Sequence, residues 1–325
     1  SKSFTDNTQI SAWAREPVAK ASSAGLIAGY LDGTFKPKAN ATRAEAAVIL
    51  SRGMEIMGKG TAATTFDTTG IYGPGGGVEA IDGNVVVTAD GVTLQSLKIT
   101  GDLTIAESVG AGTVILENVS VKGKTDVKGG GADSVIFRNC TLGGAVSVNK
   151  ADGRIRIVAE GLTSVPRVVL QSGATLFSKD DGLFERVEIP ASLPKDAEIF
   201  MTGSFGGVEI AAEDVKVKVG EGSKVDTLVL AETAAGATVD LDERAGVAKL
   251  TANAPVSITG QGQIANAEIN ASNVAIEQKP AKVDLKTGVR ANVGGEVIGP
   301  AVPTGGRRWG WRGGNYNCGC NRRYC

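Results

Sequence analysis

The main feature of the chain is an apolar pattern that recurs four times between positions 92 and 175. The units 92–113, 114–134, 135–154 and 155–175 are 22, 21, 20 and 21 residues long. In the first three units, apolar side chains occupy offsets 0, 2, 5, 7, 11 and 13, with one threonine among them. These positions are Val92, Leu94, Leu97, Ile99, Leu103, Ile105; Val114, Leu116, Val119, Val121, Thr125, Val127; and Val135, Phe137, Cys140, Leu142, Val146, Val148.

The spacing of these positions predicts the fold. Steps of two are typical of strands whose side chains alternate between inside and outside. The single step of three predicts a corner, where Asn118 and Asn139 supply a residue that tolerates left-handed backbone. One unit cannot close a core, but stacked units can, so the pattern predicts a mainly β fold, a parallel β-solenoid with coils of 20–22 residues. A β-sandwich of regular hairpins would not repeat the same offsets at this period.

The pattern also divides the chain. We assign 78–299 to the solenoid, preceded by a Gly/Thr linker at 59–77 and followed by an Arg/Gly/Cys-rich tail at 300–325. The fourth unit departs from the pattern at Glu160 and resumes with Leu162, and 178–198 is predicted to be a longer excursion. Regular spacing returns near 20 residues, at Val208, Leu228 and Leu250.

Residues 1–58 have a different pattern, typical of a small helical module. A first helix is predicted to start at Ser11, to pack through Trp13 and to end at Gly25. Thr42 and Glu45 have the spacing of a capping box and predict the start of a second helix.

These 58 residues closely resemble an S-layer homology (SLH) motif over positions 4–57. The segments that carry the resemblance are Phe4-Thr5-Asp6, Trp13-Ala14, Gly25-Leu26-Ile27-Ala28-Gly29-Tyr30, Asp32-Gly33-Thr34-Phe35-Lys36-Pro37 and Ala41-Thr42-Arg43-Ala44-Glu45. The resemblance implies a secreted surface protein of a Gram-positive, spore-forming bacterium, attached to cell-wall polysaccharide. Three such modules usually assemble, whereas this sequence shows one, so other modules have been cut away or are supplied by neighbouring chains.

The resemblance also implies which residues face the ligand, namely Trp13, Asp32, Gly33, Thr34 and Arg43. A guanidinium matches a carboxylate in a bidentate way, so Arg43 would pair with an acidic sugar substituent. In the competing interpretation Trp13 only helps to hold a helical hairpin together.

Composition limits the chemistry. The chain has 325 residues, a formal charge of −1 and no histidine, which excludes a Ser–His–Asp or Cys–His catalytic arrangement. Its near-neutral charge gives no reason to expect nucleic acid as a partner, and no apolar run is long enough to span a membrane. The densest acidic group, Asp180 and Asp181 with Glu185, lies in a predicted loop, and we expect no metal, no cofactor and no enzymatic activity.

The tail holds three of the four cysteines, Cys318, Cys320 and Cys325, together with five arginines and no acid. Four interpretations compete: intermolecular disulfide cross-links, a zinc site for which no histidine is available, single-stranded nucleic-acid binding, and disorder. Cys140 takes an inward offset and is predicted to be a buried, inert thiol.

Two functions from different classes follow. The first is a non-enzymatic structural protein, secreted and assembled with other copies of itself into a surface layer or extracellular filament through SLH, solenoid-end and Cys-tail contacts. The second is an SLH-anchored adhesin or enzyme that binds or degrades polysaccharide with a groove of the solenoid.

Overall fold

The N-terminal module contains two α-helices. The computed structural model describes residues 4–58, 63–132, 135–151 and 153–300, without the side chains of 54–58. The helices are α1 (Ala12–Ser23) and α2 (Arg43–Gly58), and a short 3-10 helix covers Asn7–Gln9.

Both helices have the end signals that the sequence predicts. Gly25, with a φ of 80°, follows α1, and the Leu26 N–H donates to the Ala21 carbonyl oxygen at 2.9 Å, which is the Schellman arrangement. At the start of α2 the Thr42 N–H donates to Glu45 Oε2 at 2.7 Å, and the Glu45 N–H donates to Thr42 Oγ1 at 3.2 Å. The predicted capping box is therefore confirmed.

Short β-strands follow from residue 64 to residue 298, with a second 3-10 helix at Glu107–Val109. In chain order the strands are β1 (Thr64–Phe66), β2 (Gly70–Tyr72), β3 (Glu79–Ile81), β4 (Val85–Val87), β5 (Val92–Gln95), β6 (Leu97–Ile99), β7 (Leu103–Ile105), β8 (Val114–Glu117), β9 (Ser120–Val121), β10 (Thr125–Val127), β11 (Val135–Arg138), β12 (Thr141–Leu142), β13 (Val146–Val148), β14 (Ile155–Glu160), β15 (Ser164–Val165), β16 (Val168–Leu170), β17 (Ala174–Lys179), β18 (Leu183–Ile189), β19 (Glu198–Thr202), β20 (Ser204–Ile210), β21 (Lys216–Val219), β22 (Lys224–Leu230), β23 (Thr238–Leu241), β24 (Gly246–Ala252), β25 (Ser257–Gly260), β26 (Gln263–Ile269), β27 (Val274–Ile276), β28 (Lys282–Leu285), β29 (Ala291–Val293) and β30 (Glu296–Ile298).

The strands form two sheets that run the length of a parallel β-solenoid, which confirms the predicted fold. Sheet 2 contains β2, β5, β8, β11 and every later strand that begins a coil, and sheet 1 contains the other strands of each coil. Each strand pairs in parallel with the equivalent strand of the next coil, as Val92 does with Val114 and Val114 does with Val135. The recurring apolar offsets are therefore vertical columns.

The interior of the solenoid is filled by the residues at those offsets. All eighteen positions of the first three units are at most 3% exposed, including Thr125. The corner residues between sheet 2 and sheet 1 have left-handed backbone, with φ near 50° at Ser96, Asn118 and Asn139. The asparagines at this corner thus adopt the left-handed backbone conformation that the spacing predicts.

The fourth unit differs from the prediction in two ways: Ile157, and not Ile155, aligns with Val135, and one extra residue lies at the corner. Val135 pairs with Ile157 and Thr141 pairs with Ser164, so Gly161 and Leu162 together oppose Asn139. Leu162 was expected to point inward, yet its side chain is 79% exposed. Thr163 takes the buried position instead, and its hydroxyl donates to the Phe137 carbonyl oxygen at 3.0 Å.

The solenoid begins earlier than predicted, inside the segment assigned to the linker. β1 pairs with β4, and β2 pairs with β5, in the same parallel register as later coils. The segment 178–198, expected to be an excursion, contains all of β18, and only the turn 180–182 and the loop 190–197 lie outside strands. The sequence does not reveal these strands, because Thr, Gly and charged residues interrupt the alternation of apolar and polar positions.

Two changes along the solenoid shape its C-terminal half. β15 and β16 both pair with β18, so that from β18 to β26 sheet 1 has one seven-residue strand per coil instead of two short strands, and β28 has four residues. At the far end β30 pairs antiparallel with β29 and closes the edge of sheet 2.

Candidate surface-anchoring site

A loop between the two helices is the most tightly hydrogen-bonded part of the module. The Asp32 carboxylate accepts hydrogen bonds from the Thr34 N–H at 3.0 Å and the Thr34 hydroxyl at 2.5 Å. Gly33 between them has a φ of 78°, a conformation that favours glycine. The Asp6 carboxylate accepts the N–H groups of Phe35 and Lys36 at 2.8 and 2.7 Å. The loop is therefore fixed at both ends.

A groove of about 490 Å³ lies between this loop and α2. On its wall the Tyr30 hydroxyl donates to Glu45 Oε1 at 2.6 Å. The Lys36 ammonium lies 4.2 Å from the centre of the Tyr30 ring, in cation–π contact, and 3.4 Å from the Asp32 carboxylate. Apolar side chains, among them Phe35 and Ile49, line the rest of the groove.

These hydrogen bonds hold the carboxylates of the module in their charged form. The Tyr30 hydroxyl and the Thr42 backbone and hydroxyl lower the pKa of Glu45 to about 2. The Thr34 hydroxyl and N–H lower the pKa of Asp32, and the Phe35 N–H is the main cause that lowers the pKa of Asp6. The Glu45 carboxylate in turn raises the pKa of Tyr30.

This groove is not lined by any of the five residues for which the resemblance implies contact with the ligand. Asp32, Gly33 and Thr34 form the turn of the loop. Trp13 lies on α1 with 83% of its side chain exposed, so it does not provide the intramodular packing of the competing interpretation, and Arg43 is exposed at the start of α2. Their role in binding a ligand stays a prediction.

The groove contains residues that the sequence analysis did not assign to a site. They are Tyr30, Lys36, Glu45 and Arg52. Tyr30, Lys36 and Glu45 belong to the motif segments, but their convergence depends on the angle at which α2 meets the loop, which spacing along the chain does not reveal.

The module leaves most of its apolar side chains exposed. Among its described side chains, Phe4 and Ile10 are the only apolar ones larger than alanine that are buried. Three successive residues of α2, Val48, Ile49 and Leu50, are exposed, with Leu50 at 68%. A soluble module of this size rarely exposes so much apolar surface unless another protein surface covers it.

The outer acids of the solenoid lie mainly in ion pairs with neighbouring bases. Glu117 lies 3.6 Å from Arg138, and Asp126 lies 3.1 Å from Lys124. Asp180 lies in a left-handed turn, 4.0 Å from Lys179. In the described ranges, no three acids or cysteines come together in a way that would hold a metal ion. The acids of 180–185 therefore form no recognisable ion site.

The cysteines fall into two groups. Cys140 is buried as predicted, and burial raises the pKa of its thiol to about 11, so it is protonated at neutral pH. Cys318, Cys320 and Cys325 lie outside the described residues, and their cross-linking role stays a prediction.

We expect the module to lose stability in acid, because Glu45 has a lowered pKa in the folded state. A carboxylate whose folded pKa lies below its unfolded pKa stabilises the fold above the unfolded value. That contribution is lost as the pH falls from about 4.5 towards 2. Carboxyl NMR titration of the full chain should show the Glu45 pKa well below the ordinary value of a glutamate, near 2. In a Glu45→Gln variant the acid-dependent loss of helical circular dichroism should shrink, and a Glu45 pKa at or above its ordinary value would contradict the prediction.

Comparisons with known proteins bear on the N-terminal module. The family model of the S-layer homology domain matches residues 3–47. An amylopullulanase from Thermoanaerobacterium thermosulfurigenes is 47% identical over 55 residues, which make up 17% of this chain and 3% of that protein. The crystal structure of chitinase ChiW from Paenibacillus sp. str. FPU-7, a cell-surface-expressed multi-modular enzyme, matches 57% of this chain and 15% of that chain, at 26% identity and a TM-score of 0.42. The matches thus span a small part of either relative.

None of the helices in the described ranges has the length and apolar character needed to cross a membrane. Residues 3–47 are an S-layer homology domain, which indicates a secreted protein anchored to the cell wall at the cell surface.

Proposed function

We propose that this chain is a non-enzymatic structural protein of a surface layer, in which the SLH domain attaches to wall polysaccharide and the solenoid is a rigid scaffold. The continuous ladder of the solenoid supports this proposal most directly. From β4 to β27, strands of the two sheets pair with a coil on each side around one apolar core. In such a stack each coil is stabilised by its contacts with the coils on either side.

Self-association through the module is part of the proposal. Leu50 is 68% exposed and shares one face of α2 with the exposed residues Ala46 and Ala47, and no described residue covers this apolar surface. Another copy of the same module is the partner that the observations favour, because every chain presents the same unburied surface. Trp13, Asp32, Gly33, Thr34 and Arg43 would then face the polysaccharide between neighbouring modules, and the host would be a Gram-positive, spore-forming bacterium.

The C-terminal end of the solenoid limits end-to-end stacking between copies. β30 closes the C-terminal edge of sheet 2, whereas β28 is the last strand of sheet 1 and has no outer neighbour among the described residues. Stacking on this end is therefore open to one sheet only. We place the main assembly contacts in the module and the cysteine tail.

The test is a single charge placed on the apolar surface of α2. We expect the wild-type chain to sediment as an oligomer. The Leu50→Glu variant should associate about 10- to 100-fold more weakly, because the free energy of burying one leucine corresponds to a factor of that size. Ser51→Glu introduces the same side chain at the next exposed position of α2 and should leave association unchanged. Analytical ultracentrifugation of full-length protein, under reducing conditions, measures all three. A wild-type chain that remains monomeric, or equal behaviour of the two variants, would show that the module does not self-associate through this surface.

A polysaccharide-binding role for the solenoid is the second candidate, and one surface feature of the C-terminal half favours it.

A further inference from the structure

We propose that the C-terminal half of the solenoid carries a binding groove for an acidic polysaccharide, separate from the SLH domain. The groove has a volume of about 680 Å³ and lies along sheet 1 across β22, β24, β26 and the turns beside them. It extends the proposed function, because a surface scaffold with such a groove would hold a glycan in addition to the wall polymer bound by the module. It does not depend on self-association.

Small residues make room for the groove. Lys224 pairs with Gly246, and Gly246 pairs with Gln263, so these three form one column across the coils. In the next column, Asp226 is followed by Ala248 and Ala265, all exposed. A side chain at Gly246 would meet no atom within 4 Å, which shows that the groove is open above the strand.

Five polar side chains around this floor have no side-chain partner within the described part of the protein. Lys224, Asp226, Gln261, Gln263 and Lys279 form no side-chain hydrogen bond or ion pair there. On the surrounding surface, by contrast, many lysine and arginine side chains form ion pairs with aspartate or glutamate.

Three ion pairs on nearby coils show the contrast. Lys218 lies 2.9 Å from Asp242, Lys249 lies 3.3 Å from Glu268, and Arg244 pairs with Glu221. The groove thus concentrates unpaired donors and acceptors that are free to bind a ligand.

Gln278 adds an acceptor that lacks a donor. Its Nε2 donates to the Thr259 carbonyl oxygen at 3.1 Å, which fixes the orientation of the amide. Its Oε1 is buried and has no hydrogen-bond partner. A buried acceptor without a donor costs free energy, so Gln278 is an unsatisfied polar group in the wall of the groove.

The chemistry of the lining selects the ligand. Primary amides donate and accept hydrogen bonds at once, as recognition of sugar hydroxyls requires. Two lysines against one aspartate leave the groove with positive charge, which favours carboxylate-bearing sugars. No aromatic residue lines it, so stacking on a neutral sugar face is not the mode of binding.

Titration of the full-length chain with hexagalacturonate, and with cellohexaose as the neutral counterpart, tests the proposal. We expect the acidic hexamer to bind and the neutral one to bind at least about tenfold more weakly, with affinity for the acid falling at high salt. Gly246→Glu fills the groove with a negative charge and should weaken binding of the acid at least about tenfold. Lys224→Met should weaken it by a smaller factor, because it removes one charge and keeps the aliphatic stem.

Matched variants locate the binding. Gly207→Glu makes the same change in β20, outside the groove, where a side chain meets only ordinary contact at 3.8 Å, and it should bind as the wild type does. Arg43→Ala removes a predicted ligand-facing residue of the SLH domain and therefore measures how much that domain contributes to hexagalacturonate binding. Loss of affinity in Arg43→Ala with full affinity in Gly246→Glu would place the site in the module and overturn the groove, while the anchoring role would stand. Absence of binding, or equal affinity for the neutral hexamer, would also overturn it.

Discussion

Replacing Phe184 by alanine is expected to destabilise the solenoid by about 3–5 kcal/mol, the range for removing a buried aromatic side chain. Phe184 and Phe205 are paired residues on β18 and β20, both at most 2% exposed. Their rings stack with centroids 5.5 Å apart and an angle of 11° between the planes. Val165 and Val225 continue the column on either side.

The cost is at the upper end because the cavity cannot collapse. In a parallel ladder the backbone hydrogen bonds fix neighbouring coils at a separation of about 4.8 Å, so Phe205 cannot move down to fill the space left by Phe184. The coils on either side of the cavity are held by their own hydrogen bonds, and the lost contacts are not recovered elsewhere.

Phe200→Ala is the matched control. Phe200 belongs to β19, is only partly buried on the outer face and lies 4.5 Å from the guanidinium of Arg154. Its loss should cost no more than about 1 kcal/mol, the value of a cation–π contact at an exposed site. Guanidinium unfolding followed by far-ultraviolet circular dichroism compares the two variants. If the two variants lost the same free energy of unfolding, the stacked phenylalanines would contribute no more to stability than an exposed aromatic residue does.

The regular coils could be predicted from sequence because each inward position is constrained twice, by strand alternation and by the coil below. Phe137, for example, must be apolar to face the interior and must also fit between Leu116 and Ala159. Such double constraint leaves a periodic trace. The corner asparagines were found for the same reason, since Asn118 and Asn139 recur at one offset and need one backbone conformation.

Positions without that double constraint could not be predicted. The extra residue at Leu162 is tolerated because a corner faces solvent, where an added residue can bulge outward. β1 and β2 lie at the first edge of the solenoid, and among the described residues a coil covers them on one side only, so Thr and Gly suffice there. The spacing of apolar residues therefore predicts neither the extra corner residue nor the first two strands.

The candidate sites were predicted less well than the fold. The loop of the module was found because Asp32 and Gly33 are turn residues whose chemistry is local. The groove beside Tyr30 requires α2 to lie against that loop, and the groove at Gly246 requires three coils to be in register. Both arrangements bring together residues distant in sequence, and no spacing along the chain encodes them.

Replacing Gly123 by valine is expected to destabilise the solenoid by about 3 kcal/mol or more, the severe end of overpacking. Gly123 lies in the turn between β9 and β10, and its N–H donates to the Gly101 carbonyl oxygen of the preceding coil at 3.0 Å. A Cβ atom at this position would lie 2.6 Å from that same oxygen. The obstacle is backbone, which cannot rotate away, so the stack would have to open.

The same clash recurs in the neighbouring coils, which shows why glycine forms a column here. A Cβ on Gly144 would lie 2.5 Å from the Gly123 carbonyl oxygen, and one on Gly101 would lie 2.5 Å from the Gly83 carbonyl oxygen. The turn therefore sets how closely coils approach, and three successive coils meet the requirement by omitting the side chain. Relief of the strain at Gly123 would shift the next turn as well.

Gly246→Val separates this close approach from a general effect of replacing glycine in the solenoid. Gly246 has open space where the side chain would go and lies at the start of β24, where a β-branched residue is favourable. We therefore expect no loss of stability, and a gain of up to about 1 kcal/mol because the unfolded chain has less freedom to lose. Opposite signs for the two variants in guanidinium unfolding would support a contact-limited stack. A loss at Gly246 as large as that at Gly123 would instead mean that backbone freedom, and not the distance between coils, selects glycine at these turns.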